Sequence, residues 1–162
     1  VSATPEGTAP SQGTLMRTLY ELTDGAIARL YAELGMPDYR PRYSPVVRAL
    51  VASGPMTIRE LASAIGVTHS AASQTVSQMR RAGFVTLETG SDARQRIVHL
   101  TGRAREALPL IEAEWEATAR AAAELDAELP MPLGEVMLAA VRALERRPFR
   151  DRILAAGLRE HI

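Results

Sequence analysis

Apolar side chains recur at three- and four-residue steps along most of this chain, and the rhythm shortens only between residues 84 and 100. From Thr14 to Leu34, Leu15, Leu19, Leu22, Ile27, Leu30 and Leu34 follow helical spacing and predict an amphipathic helix. Gly25 within it costs about 1 kcal/mol relative to Ala, so a kink is expected there. Met36 to Tyr43 carries Pro37 and Pro41 and reads as a connection. Ser44-Pro45 then supplies an N-cap with proline in the first helical position, opening a short helix through Ala52 that Ser53-Gly54-Pro55 ends.

Thr57-Ile58-Arg59-Glu60 is a capping box, in which the threonine hydroxyl accepts from the Glu60 amide while the Glu60 carboxylate reaches back. It opens a helix with Leu61, Ala62 and Ile65 on one face, and Gly66 provides the left-handed residue that closes it. Thr68 caps the next helix, which buries Ala72, Val76 and Met79 and stops at Gly83. Two helices joined by a short turn containing glycine form a helix-turn-helix. Phe84 to Glu88 and Ile97 to Leu100 are rich in β-branched and apolar residues and flank a polar loop, residues 89–96, that contains Gly90. They predict a hairpin with a long tip. A helix-turn-helix followed at once by such a hairpin is a winged helix.

Beyond Thr101 the chain turns helical again. Leu108, Ile111, Trp115, Thr118, Ala122, Leu125 and Leu129 keep a heptad-like rhythm, with Pro109 expected near the first turn, where its missing donor does least harm. The opposite face is read as acidic: Glu112, Glu114, Glu116, Glu124, Asp126 and Glu128. Leu129-Pro130-Met131-Pro132 breaks the helix, another runs from Leu133 to Arg146, and Pro148 starts a short last one around Ile153 and Leu154. The fold class is mainly α with a small β-hairpin (α+β), a winged helix-turn-helix between N- and C-terminal helices.

Composition narrows what this fold serves. The chain has 162 residues, 46% hydrophobic and 23% charged, enough to bury a sizeable core without a disulfide or metal staple. Cysteine is absent, which excludes a thiol nucleophile, a thiolate metal site and a cysteine redox switch. His69, His99 and His161 are scattered, so neither a metal nor any other cofactor is expected. No apolar run is long enough to span a membrane, and residues 1–13, Pro/Gly/Ser/Thr-rich without a basic start, read as a flexible tail and not a secretory signal. A cytoplasmic location is expected. There is no phosphate-cradling glycine loop, no paired His and carboxylate, and no nucleophile elbow, so an enzyme is not expected. The formal charge of zero hides an asymmetry. Ile58 to Arg105 holds seven Arg against three acids, net +4; Glu106 to Ile162 holds seven Arg against eleven acids, net −4. A basic block of this kind is the electrostatic footprint of a polyanionic partner.

Residues 44–101 resemble the MarR family of bacterial transcription regulators, and the resemblance extends more loosely over residues 14–157. It is carried by Thr57-Ile58-Arg59-Glu60-Leu61-Ala62, by Gly66-Val67-Thr68 with Ser70 and Ser73, by Gly83-Phe84-Val85, by Asp92-Ala93-Arg94 and by Val98-His99-Leu100-Thr101. The resemblance implies a homodimer whose first and last helices intertwine, bound to palindromic operator DNA and released by a signal. It divides the chain into the tail, an N-terminal dimerisation helix and connection (14–43), a winged DNA-binding domain (44–101) and C-terminal dimerisation helices (102–162).

The residue types agree with double-stranded DNA as partner. A helix in the major groove offers its N-terminal and outward residues to base edges. Here those are Thr68, His69, Ser70, Ala71, Ser73, Gln74 and Gln78, with Thr75 beside them. Gln74 can pair bidentately with adenine, and it stands where many relatives carry Arg. Arg80 and Arg81 close the helix within reach of phosphate, and Arg59 is a further backbone candidate. Arg94 at the hairpin tip is expected in the minor groove, directed by Asp92, with Arg96 on phosphate. The family's pocket between arms and winged domain often takes aromatic or phenolic acids; Tyr31, Arg42, Tyr43 and Trp115 are the candidates for such a small aromatic ligand. The alternative is that the segment Tyr39 to Tyr43 ties the loop down and packs the root of the arm. A winged helix that binds protein in place of DNA keeps the fold, but it does not call for the basic wing. A metal-responsive winged helix of the ArsR type is counted against by the missing cysteines.

Overall fold

The computed structural model describes residues 9–90 and 96–157, which fall into two compact units divided between Leu108 and Pro109. The first unit opens with helices α1 (Gln12–Leu22) and α2 (Asp24–Glu33). Ser11 caps α1 by accepting from the Thr14 amide, so the helix starts two residues into the expected tail. The expected kink is present but lies at Thr23, where φ −98° and ψ −82° leave helical values, and not at Gly25. The Thr23 hydroxyl there donates to the Leu19 carbonyl at 2.8 Å, a side-chain bond of the sort that bends a helix, while Gly25 continues α2 without strain.

A 3-10 turn, Pro41–Tyr43, leads directly into α3 (Ser44–Ser53). Ser44 therefore already has helical dihedrals and is not the N-cap that the Ser-Pro pair suggested; its hydroxyl instead meets the Tyr39 hydroxyl at 3.2 Å. Then come α4 (Ile58–Ile65) and α5 (His69–Arg81). The capping box is formed in full: Thr57 Oγ1 accepts from the Glu60 amide at 3.2 Å, and Glu60 Oε2 accepts from the Thr57 amide and hydroxyl, both at 2.8 Å. These bonds, the backbone one first, hold the Glu60 carboxyl below its ordinary value of 4.5. Gly66, at φ +69°, makes the left-handed step that turns the chain from α4 into α5.

The hairpin strands are β2 (Val85–Thr89) and β3 (Arg96–Leu100), in antiparallel register from Val85–Leu100 to Thr89–Arg96. A two-residue strand, β1 (Met56–Thr57), pairs with β3 on its other side, giving the order β1-β3-β2. Periodicity did not predict it, because two residues carry no alternation. The core of this unit is built from Val46, Val47, Leu50, Leu61, Ala72, Val76, Met79, Phe84, Val85 and Val98, all buried. An aromatic cluster joins it: Tyr39 lies 4.4 Å from Tyr31, 5.7 Å from Tyr43 and 5.2 Å from Phe84, ring centre to ring centre.

Helix α6 (Gly102–Glu128) carries the chain into the second unit, followed by α7 (Leu133–Arg146) and α8 (Phe149–Ala155). Pro109 is not near the first turn but about two turns inside α6, because Thr101 caps the helix early by accepting from the Ala104 amide. The helix forgoes the bond that an amide at 109 would give to the Arg105 carbonyl. Along the predicted seam Ile111 is buried and Leu108, Trp115 and Thr118 are half-buried, whereas Ala122, Leu125 and Leu129 are exposed. Glu114 does not belong to the acidic outer face. It is buried and accepts from the Thr118 hydroxyl, because its position one turn after Ile111 puts it beside the seam. Neither α1 nor α7 buries a residue, and α7 exposes Val136, Met137, Leu138, Val141 and Leu144.

Two outcomes follow from this packing. Leu61→Ala, which opens a cavity under a fully buried side chain, should lower stability by about 2–5 kcal/mol in urea unfolding. The lowered Glu60 value means that its contribution is present above 4.5 and lost as pH falls through the folded value. Denaturation at a series of pH values should therefore show Glu60→Gln less stable than the parent at neutral pH, with the gap closing in acid.

Candidate nucleic-acid interface

Helix α5 is laid down by its own sequence. Thr68 caps it, its Oγ1 accepting from the Ala71 amide at 3.2 Å, and Ala72, Val76 and Met79 form a fully buried stripe. Burying that stripe turns the opposite side outward. Thr68, His69, Ser70, Ala71 and Gln74 are exposed over the first two turns, and Ser73 and Thr75 are half-buried at its edges. Gln78 is half-buried too, and its Oε1 is enclosed without a hydrogen-bond partner among the described residues. Arg80 and Arg81 stand exposed in the last turn, where a cation is favoured by the helix dipole. Ser77, which the sequence reading passed over, shares the stripe of Ser70, Gln74 and Arg81 by helical spacing and is half-buried.

In the hairpin, Arg96 is exposed and its Nη1 donates to Thr89 Oγ1 at 2.7 Å, so it is steered across the end of the two strands. Asp92 and Arg94 lie outside the described residues. On one sheet face His99 Nε2 lies 3.3 Å from Glu88 Oε2. Arg59 is exposed on α4. The structure thus brings Thr68, His69, Ser70, Ala71 and Gln74 onto one accessible face of α5, with Ser73 and Gln78 partly withdrawn from it and Arg96 on a separate element of the same unit.

Of the candidate ligand residues, Tyr31 and Tyr43 are buried members of the aromatic cluster. Arg42 is exposed, 5.9 Å from the Tyr43 ring centre, and lines a surface cavity of about 260 Å³ together with Tyr20, Asp24, Gly25, Ala28, Arg40 and Pro41. Arg40 is held over this connection by bonds from Nη1 to the Pro37 carbonyl at 2.6 Å and the Tyr39 carbonyl at 3.2 Å. Trp115 is a half-buried residue of the second unit. Two further residues escaped the sequence reading. Thr101 Oγ1 donates to the Gly83 carbonyl at 2.7 Å, and Arg103 Nη1 donates to the Ala82 carbonyl at 2.6 Å. Both act on the end of α5 from far along the chain, a distance that no local motif signals. Among the described residues no group of three or more His, Cys, Asp or Glu is placed to hold a metal ion, and no helix is long and apolar enough to cross a membrane.

Residues 38–95 match the model of the MarR family. No curated protein sequence matches the chain. Among solved structures, the chain is similar to the M. tuberculosis transcriptional regulator MOSR in complex with DNA. That match has 24% identity and a TM-score of 0.63, and covers 86% of this chain and 100% of that one. The S. aureus MepR–DNA complex matches at 14% identity and a TM-score of 0.61, over 85% of this chain and 98% of that one. The PcaV transcriptional regulator from Streptomyces coelicolor, solved with its natural ligand, matches at 20% identity and a TM-score of 0.57, over 91% and 99%. At these identities the likeness is one of fold. Residues 38–95, which take in the helix-turn-helix and the first strand of the wing, thus match the MarR family model, and the chain has the fold of these solved regulators.

Proposed function

We propose that this chain is a sequence-specific double-stranded-DNA-binding transcriptional regulator, a repressor that acts in the cytoplasm as a homodimer on palindromic operators. It works by binding and not by catalysis, and a small aromatic or phenolic effector releases it. The observation that carries the reading is α5: a capped helix whose buried stripe leaves Thr68, His69, Ser70, Ala71 and Gln74 outward, inside a block of net +4 charge. Short hydroxyls and an amide are the groups that read base edges, and the surrounding arginines supply the phosphate attraction. Two similar regulators, MOSR and MepR, were solved with DNA, which supports the partner class.

The homodimer is supported by the apolar side chains that the terminal helices leave uncovered. Leu15, Met16, Tyr20 and Leu22 on α1 are more than half exposed, as are Met137 and Val141 on α7. Rows of this kind mark an interface. A two-fold dimer presents two reading helices, which sets half-sites about one turn of DNA apart. The effector is supported by the cavity lined by Tyr20, Arg40 and Arg42, two cations against the single carboxylate of Asp24, which leaves a net positive site for an aromatic anion, and by the natural ligand in the PcaV structure.

Selecting bound duplexes from a random library with the purified chain tests the reading. A palindromic sequence should be enriched, and light scattering should give a mass twice 17.5 kDa. A monomer that enriches nothing overturns it. On the selected operator, Arg94→Ala should weaken binding by about 1–3 kcal/mol in a shift assay. Replacing Gln74 with Ala should relax base preference at one position in each half-site when the selection is repeated.

A further inference from the structure

One guanidinium, at the start of α6, holds three separate pieces of the first unit. Arg103 Nη1 donates to the Ala82 carbonyl at 2.6 Å, and Ala82 is the residue that ends α5. Its Nη2 lies 3.6 Å from Asp38 Oδ2, in the connection after α2. Its Cζ sits 4.7 Å from the centre of the Phe84 ring, over the aromatic cluster. Gly83 follows Ala82 at φ +77°, the left-handed turn that carries the chain from α5 toward the hairpin beside Arg103. Thr101 closes the same corner. Its hydroxyl donates to the Gly83 carbonyl at 2.7 Å, and its amide donates to the Phe84 carbonyl at 3.1 Å.

The last turn of α5 is already closed by backbone bonds from the Ala82, Gly83 and Phe84 amides to the Gln78, Arg80 and Met79 carbonyls, and Arg103 takes the Ala82 carbonyl that follows them. The terminal carbonyls of an α-helix have no partner within it and carry its negative partial charge, so a cation bonded there is held well. The planar guanidinium fork can meet a carbonyl, a carboxylate and a ring face together, which an ammonium cannot. The Arg103 and Asp38 side chains are 49% and 60% exposed, so their ion pair adds little to folding stability. What it controls is direction. Helix α5 has 13 residues and is about 20 Å long, and a tilt of about 5° about its buried middle moves each end by about 1 Å. A displacement of that size breaks a base-edge hydrogen bond.

We infer that Arg103, anchored by Asp38, is a positioning residue that fixes the tilt and roll of α5 and so sets where Ser70 and Gln74 meet the bases. The inference rests on the DNA-reading function proposed above. Neither residue touches DNA in this role. Asp38 is a carboxylate, and removing it on electrostatic grounds alone would favour DNA; through the latch its removal disfavours DNA.

That opposition of sign is the test. The full chain and its Asp38→Asn, Arg103→Gln and Arg103→Lys variants are titrated against the selected operator over a range of salt, with thermal unfolding alongside. Arg103→Gln should weaken operator binding about tenfold and Asp38→Asn about threefold, the double variant being no worse than Arg103→Gln. Arg103→Lys should recover only part of the loss. The dependence on log salt should keep the parent's slope, because no phosphate contact is removed. Unfolding midpoints should stay within a few degrees of the parent. The inference is overturned if Asp38→Asn binds as tightly as the parent or more tightly. It is equally overturned if the Arg103→Gln loss comes with a slope smaller by about one, the mark of a direct phosphate contact. Should Arg103→Gln unfold early, Asp38→Asn decides alone. A parent that selects no sequence sinks the DNA reading itself, whereas a selective parent with indifferent variants sinks only the latch.

Discussion

The winged unit depends on α5 burying one side and one side only. Ala72, Val76 and Met79 are fully enclosed, in a core shared with Leu61 of α4 and Phe84 and Val85 at the start of the hairpin. Removing such apolar surface from water is worth about 1.5–3 kcal/mol for each large side chain, which no solvated polar contact on the other face can rival. The stripe therefore fixes which residues look outward, and the polar face is available for recognition because the fold does not use it. A second apolar stripe on this helix would have strengthened the core and removed the polar face proposed to read DNA.

The other half of the scaffold is aromatic. Four of the chain's seven aromatic side chains, Tyr31, Tyr39, Tyr43 and Phe84, meet in one cluster that joins α2, the connection and the root of the hairpin. Edge-on and tilted contacts between rings add to what burial alone supplies, and few other side chains could bridge elements so far apart in sequence. The cluster also brings the connection to the end of α5, since Phe84 lies just beyond Gly83. The connection thus packs through Met36, Tyr39 and Tyr43, in keeping with the reading that its aromatic residues tie the loop down, while Pro37, Asp38, Arg40 and Arg42 stay exposed.

Most of this fold was legible because it is written in local signals. The capping box at Thr57, the glycine at 66, the cap at Thr68 and the buried stripe of α5 are each decided within a few residues, and each is found where its motif places it. The errors arose where a distant or competing contact decides. Ser44 looked like a cap until the preceding 3-10 turn took it into the helix and Tyr39 engaged its hydroxyl. Glu114 looked like part of an acidic face because charge was weighed above phase, and Thr118 satisfies it beside the seam. The face of α5 could be read from its spacing. The ties at Thr101 and Arg103 could not, because they join residues about twenty positions apart through carbonyls that any sequence would offer.

The two-residue strand at Met56 and Thr57 has a consequence for how these molecules behave when crowded. A hairpin standing alone has two bare borders, each a row of unmet amides and carbonyls onto which a neighbouring chain can zip. Here one border is occupied at Ile97 and Val98 by the molecule's own backbone, just before the capping box turns the chain away into α4. The border that stays open, on β2, carries exposed Thr86, Glu88 and Thr89, whose polarity and charge discourage stacking into fibrils. Both borders of the small sheet are in this way made poor templates for a neighbour's backbone.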